Sequence, residues 1–350
     1  MRKSILIFAF CGLCCLLLAL YSAPALAAAR EGFYLWRDHV FPALLPFFVC
    51  AHIMQHCGAI TGRGRWTLYG LSMVSGAPAG ARLSGWAGGD VTDTAAALNA
   101  VSPMFICGSF AAGMLGRPAI AWPILLAQFL AAGVFLLLAN DKVVEAPVPA
   151  ITEKSAESAS FLRLLGEALG SGVTALFTVG GAIMVFMAFQ AVLEEIGLFA
   201  LVTAPLGAVF AKFGQSPELS AVLLSGMLEM VQGCRALAAA GLSLRQTAAL
   251  AAFFFSFGGV CILAQSLTVA NLRAGRYLWR KLLQGCLAGL LAYLFTPLFL
   301  PDAQAVFSSL PPQALKDNAL SAALTAGISL IGVSTVLLLG AAAGRKSGAS

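Results

Sequence analysis

Two arginines lie inside otherwise apolar stretches, and the pattern around them is the same. Leu71-Ser72 is followed by seven residues and then Gly80-Ala81-Arg82; Leu224-Ser225 is followed by seven residues and then Gly233-Cys234-Arg235. Each pair of matching positions is 153 residues apart, from Ser72 to Ser225 and from Arg82 to Arg235. An arginine at bilayer depth is unfavourable by about 2.5–3.5 kcal/mol on insertion scales, so two at equivalent places suggest a use. A guanidinium forks onto a carboxylate, and two could grip the two carboxylates of one small dianion. Expected near one pseudo-two-fold axis, they would then act together. The alternative is that each arginine snorkels to an interface or binds nearby backbone carbonyls.

Around the arginines stand groups suited to hold or couple a solute. Glu229 is the sole acid of its stretch, six residues before Arg235. It suits either a coupling proton or cation, or a structural ion pair. Ser75, Asn99, Ser102, Gln232, Ser256 and Gln265 offer neutral hydrogen bonds close to helix-breaking residues. Elsewhere in apolar helices such groups glue helices together. Gly76, Pro78 and Gly80, then Gly226, Gly233, Gly258 and Gly259, are the backbone positions expected to interrupt helices and expose N–H groups to an anion. Glu194 and Glu195 close a span and read as interface residues.

Other chemistries find no support. His52 and His56 are spaced i,i+4 with Cys57 adjacent, but no acidic partner is near, and no metal site is expected. The nine cysteines all fall in apolar segments and read as packing residues. No phosphate loop, nucleophile elbow or nucleic-acid motif occurs. No enzyme activity and no cofactor are expected.

The elements that must position these residues are set by composition. The chain has 350 residues, 60% hydrophobic and 10% charged, with mean hydropathy +0.90. Soluble domains carry about a quarter charged residues, so this surface faces lipid. The net charge of +6 is spread over loop ends and reads as an orientation signal rather than a nucleic-acid footprint. Apolar runs long enough to span are expected at residues 4–25, 42–60, 92–115, 119–139, 173–193, 247–270, 282–300 and 320–343. Residues 28–40 and 198–213 read as interfacial, and 161–170 as an amphipathic piece. Residues 4–25 also resemble a secretory signal with an A-x-A site at Ala25-Leu26-Ala27; an uncleaved anchor is favoured. The stretches 66–90 and 217–242 are apolar but broken, and suit re-entrant hairpins.

The expected fold is therefore an all-α polytopic membrane protein with two inverted repeats. It divides into an anchor and interfacial segment (1–40), a first repeat (41–140), a polar linker (141–160), a second repeat (161–300) and a C-terminal transmembrane helix (301–350). Arg2/Lys3, Arg63/Arg65, the linker, Arg273/Arg276/Arg280/Lys281 and Arg345/Lys346 then all face the cytoplasm. The two hairpins enter from opposite faces, as alternating access requires.

Several of these stretches resemble one family. Phe41-Pro42-Ala43-Leu44-Leu45-Pro46-Phe47-Phe48-Val49 resembles the "FPALLPFFV" opening of bacterial sporulation integral membrane proteins, which carry nucleoside-recognition Gate domains. Residues 75–82 are similar to their "SGYPxGAK", residues 225–234 to "SGLLEMTxGC", and Phe255-Ser256-Phe257-Gly258-Gly259 with Ala264-Gln265 to "SFGG…AQ". The likeness covers roughly residues 40–295 in order. Arg82 stands where the family often has Lys, and residues 99–105 match its "NxSxPxF" only in part. Gate domains also occur in concentrative nucleoside transporters and ferrous-iron transporter cores. The resemblance implies transport of dipicolinic acid, a pyridine dicarboxylate, in the mother-cell-derived outer forespore membrane, with Gate-type hairpins. Nucleoside transport and a non-transporting scaffold for spore-envelope assembly stay open, as does homo-oligomerisation. The partners expected are the lipid bilayer and a small organic anion, not nucleic acid.

Overall fold

The computed structural model describes residues 2–56, 65–85, 89–141, 161–212 and 214–300. Cys57, Arg63, residues 142–160 of the expected linker and the expected C-terminal helix lie outside these, as does the side chain of His56. Every regular element among the described residues is helical.

Helix α1 spans Arg2–Leu20 and α2 Ser22–Leu35. A π-helical turn, Trp36–Val40, leads without interruption into α3, Phe41–His56. The chain bends by 94° between Ser4–Leu20 and Ser22–Met54. The expected span at 4–25 therefore ends at the bend, and residues 28–40 belong to a helix that runs from Ser22 into α3. Next come α4 (Arg65–Ser75) and α5 (Ala79–Gly85), then α6 (Thr92–Leu98). A π-helical segment, Phe105–Met114, and a short 3-10 turn at Pro118–Ile120 precede α7, Ala121–Leu137.

The second half opens with α8, Phe161–Glu195, a single helix of 35 residues where the sequence suggested two pieces. Gly172 does not break it. It faces α3, where a Cβ would make ordinary contacts with Phe48 and Leu45 at 3.5 and 3.6 Å. Then follow α9 (Leu198–Lys212), α10 (Leu219–Leu228), α11 (Met230–Ala239), α12 (Leu244–Phe257), α13 (Gly259–Val269) and α14 (Ala274–Phe299). A capping box between Ser243 and Gln246 starts α12.

Four of these stretches are long and apolar enough to cross a membrane: Pro118–Leu137, Phe161–Glu195, Leu244–Val269 and Ala274–Phe299; the bent pair Ser4–Leu20 and Ser22–Met54 gives a fifth. Their outer faces are apolar, with Phe177 61%, Leu290 57% and Leu298 76% exposed. Water does not support such a surface and lipid does, so the chain is a multi-pass membrane protein in a bilayer.

Element order recurs along the chain. Ala121 and Ala274, which begin α7 and α14, are 153 residues apart, the offset of the arginine motif. By the same offset, α4–α5 corresponds to α10–α11, and α6 with its π segment to α12–α13. The packing follows. Helix α5 rests on α13 and α11 on the π segment, while α14 packs on α6 and α7 on α12. Exchanging the halves maps each of these contacts onto another. The largest core cluster lies where the halves meet, around Phe110 and Phe255, whose rings meet edge-to-face at 5.3 Å.

Candidate functional site

Four helix breaks converge near the centre. The first separates α4 from α5 at residues 76–78. Gly76 takes φ +73°, a left-handed conformation side chains avoid, and its backbone lies against Ser102, where a Cβ would come within 2.8 Å. Ala77-Pro78 is a cis peptide. The second break follows α6 at Asn99. The third is at Glu229, whose backbone is extended between α10 and α11. Its carboxylate then caps α11, Oε2 accepting from the Gln232 N–H at 2.7 Å. The fourth is Gly258-Gly259, with φ +85° and +78°. Close approach holds the breaks together. A Cβ on Gly80 would lie 2.3 Å from the Leu98 carbonyl oxygen, and one on its mate Gly233 would lie 2.2 Å from Gly226 Cα.

Between the breaks is a cavity. Ser75, Gly76, Ser102, Glu229 and Gln265, all expected site residues, line it together with apolar side chains of α3, α8 and α13. A second cavity shares Phe48, Ser75 and Ala77 with it and adds Pro78, Arg82, His52 and Ser171. The two form adjoining spaces, polar at the breaks and basic at Arg82. Ser75 Oγ donates to the Leu71 carbonyl at 2.8 Å. Gln265 Nε2 contacts Cys261 Sγ at 3.4 Å. Arg82 forms no ion pair with another described residue.

The remaining expected residues lie elsewhere. Arg235 lines neither cavity. It is half-exposed, and its guanidinium pairs with Glu31 of α2. Arg82 is three residues past Ala79, the first of α5, and Arg235 five past Met230, the first of α11, which sets them about 4.5 and 7.5 Å along their helices. Arg82 borders a cavity while Arg235 is held by α2, so no cavity lining contains both arginines. Gln232 and Ser256 each have a buried oxygen without a hydrogen-bond partner, Oε1 and Oγ. Asn99 is buried in a separate cluster, Nδ2 donating to Ser266 Oγ at 2.8 Å and Tyr277 Oη at 2.7 Å.

That cluster contains residues the sequence did not single out. Lys281 grouped with Arg273, Arg276 and Arg280 as loop charge, with the span expected from 282. The helix instead starts at Ala274, since nothing between there and 282 breaks it, and carries Lys281 inward to full burial. Tyr277, Lys281 and Gln284 recur at i, i+4 and i+7, a one-face signal that could have identified them. Arg276 and Arg280 meet Asp93, and Arg273 meets Asp90 at 2.8 Å, in an ion network that also takes in Asp141. The Thr92 hydroxyl, with Arg273 and Arg276, holds the Asp90 carboxyl below its usual range. Burial pushes Asp141 up.

No family model and no solved structure matches the chain. It is similar to the sporulation integral membrane protein YlbJ of Bacillus subtilis (strain 168), 26% identical over 320 residues, an alignment covering 78% of this chain and 78% of that protein. This agrees with the resemblance to sporulation membrane proteins that the motifs carry.

Proposed function

We propose that the chain is a transporter that moves a small organic anion by alternating access between two inverted Gate-type repeats. The observation that carries this reading is the cavity enclosed by breaks from both halves, with Arg82 on the adjoining wall. Broken helices crossing at mid-depth expose backbone dipoles to a solute without water-filled loops. In this reading α4–α5 and α10–α11 are re-entrant hairpins. Three crossings per repeat, α2–α3, α6 with its π segment, and α7, reverse the orientation of the second repeat.

Arg82 then receives the anion on one side of the breaks. Its mate Arg235 serves the other side and is held by Glu31 in this conformation. Ser75, Ser102, Gln232, Ser256 and Gln265 with the hairpin glycines form the path, and Glu229 is placed to carry a coupling proton. The similarity to a sporulation protein favours dipicolinate as cargo and a spore-forming cell's outer forespore membrane as its place. A second reading, nucleoside transport, draws on the neutral hydrogen-bonding groups and Glu229 around the inner cavity.

The test is uptake of labelled dipicolinate by the purified protein in lipid vesicles, with uridine as competitor. Dipicolinate uptake insensitive to uridine is expected. Arg82→Ala is expected to weaken it about ten- to hundredfold, the loss of one charge-assisted contact of about 1.5–3 kcal/mol. Uptake of uridine but not dipicolinate supports the second reading; uptake of neither refutes transport of both solutes.

A further inference from the structure

The broken end of α6 is closed by a cation from the opposite half. A helix leaves its last carbonyls without intrahelical donors, and here that end is buried. The Asn99 N–H satisfies the Ala95 carbonyl and the Ala100 N–H that of Leu98. The others are met from α14. Lys281 Nζ donates to the Ala96 carbonyl at 3.3 Å and the Asn99 carbonyl at 2.8 Å, and Gln284 Nε2 to the Ala97 carbonyl at 3.3 Å. Two further acceptors in this cluster, Asn99 Oδ1 and Gln284 Oε1, are buried without hydrogen-bond partners.

Lys281 is fully buried, yet it pairs with no carboxylate among the described residues. The nearby acids Asp90, Asp93 and Asp141 are matched to arginines. What faces the ammonium is the negative end of a helix and a set of oxygens. That is the environment in which an unwound helix end coordinates a monovalent ion.

The charge is not something the fold requires. At the offset of 153, the mate of Lys281 is Gln128, the mate of Asn99 is Ala252, and that of Tyr277 is Ile124. The mate position Ala252 lies inside α12, which runs on to Phe257 and ends with the Gly258 N–H donating to the Phe254 carbonyl in a left-handed cap. The second half thus carries its helix past the equivalent point with no buried cation there, and the charge belongs to the break at Asn99.

We propose that the Lys281 ammonium is a tethered cation, filling a monovalent-cation site at the carbonyl end of α6 so that the break is held without a bound alkali ion. The proposal does not depend on which solute is carried, or on transport at all.

The test is thermal unfolding of the purified full-length protein in sodium chloride, choline chloride and methylammonium chloride at equal ionic strength. The parent is expected to melt at one temperature in all three. Lys281→Ala opens the site. It is expected to melt lower in choline and to recover about 2 °C or more in sodium or methylammonium. Lys281→Gln keeps a donor but removes the charge, and is expected to stay below the parent in every salt. A Lys281→Gln protein as stable as the parent would show that only a hydrogen-bond donor is needed, overturning the proposal. A Lys281→Ala protein unmoved by sodium and methylammonium, or a parent stabilised by sodium as strongly as that variant, overturns it too. If Lys281→Ala does not fold, the Lys281→Gln comparison decides.

Discussion

Glu229 combines two roles that a single substitution confounds. It ends α10, and its carboxylate accepts from the Gln232 N–H at the start of α11. It also lines the cavity at the breaks. Glu229→Ala removes the cap and is expected to lower stability by about 1 kcal/mol. Glu229→Gln keeps an acceptor oxygen and is expected to leave the melting temperature near the parent's. If the carboxylate carries the coupling proton, Glu229→Gln changes the pH dependence of vesicle uptake. Reduced uptake with the parent's pH dependence would assign Glu229 to capping alone. The sequence marked this residue because an acid in an apolar stretch needs a reason. It did not mark Lys281, because a lysine beside three arginines reads as a loop end until the helix start is known.

At the scale of elements, the interruptions were legible where they depend on backbone chemistry. Gly76 to Pro78 and Gly258-Gly259 break helices because of what glycine and proline allow. The continuity of α8 through Gly170-Ser171-Gly172 was not, since glycine lowers helix propensity without forbidding the helical conformation. The π-helical segment Phe105–Met114 was equally hidden, having no periodicity that separates it from an α-helix. The two uses of glycine predict opposite signs. Gly80→Ala sets a methyl 2.3 Å from the Leu98 carbonyl oxygen, so α5 and α6 must part. It is expected to destabilise by more than about 2 kcal/mol, within the range for overpacking a core. Gly181→Ala, in α8 with nothing within 4 Å of the added carbon, is expected to be neutral or stabilising by up to about 1 kcal/mol. Melting temperatures of the two purified variants test both.

For the whole molecule, elements recur at 153 residues with matching contacts between the halves, and the proposed transport by rocking requires the two hairpins to enter from opposite sides of the membrane. The ion network constrains that topology. Asp90 before α6, Asp141 after α7 and Arg273 before α14 are joined in one network, so these three chain positions lie at the same end of the molecule. The arginine-rich end is expected to be cytoplasmic. Tracing from there, α12 must begin at the opposite end, because α12 and α13 cross once before the chain reaches Arg273. A re-entrant α4–α5 starts and finishes on the cytoplasmic side, and α10–α11 on the other. Single cysteines at positions 65 and 243, placed in an otherwise cysteine-free chain, should therefore react with an impermeant thiol reagent from opposite sides of the membrane. Asp90→Cys should share the side of position 65. Labelling of 65 and 243 from one side would refute the inverted arrangement. It would leave the recurrence of elements and the membrane location standing, since those rest on helix bounds and on the apolar outer faces.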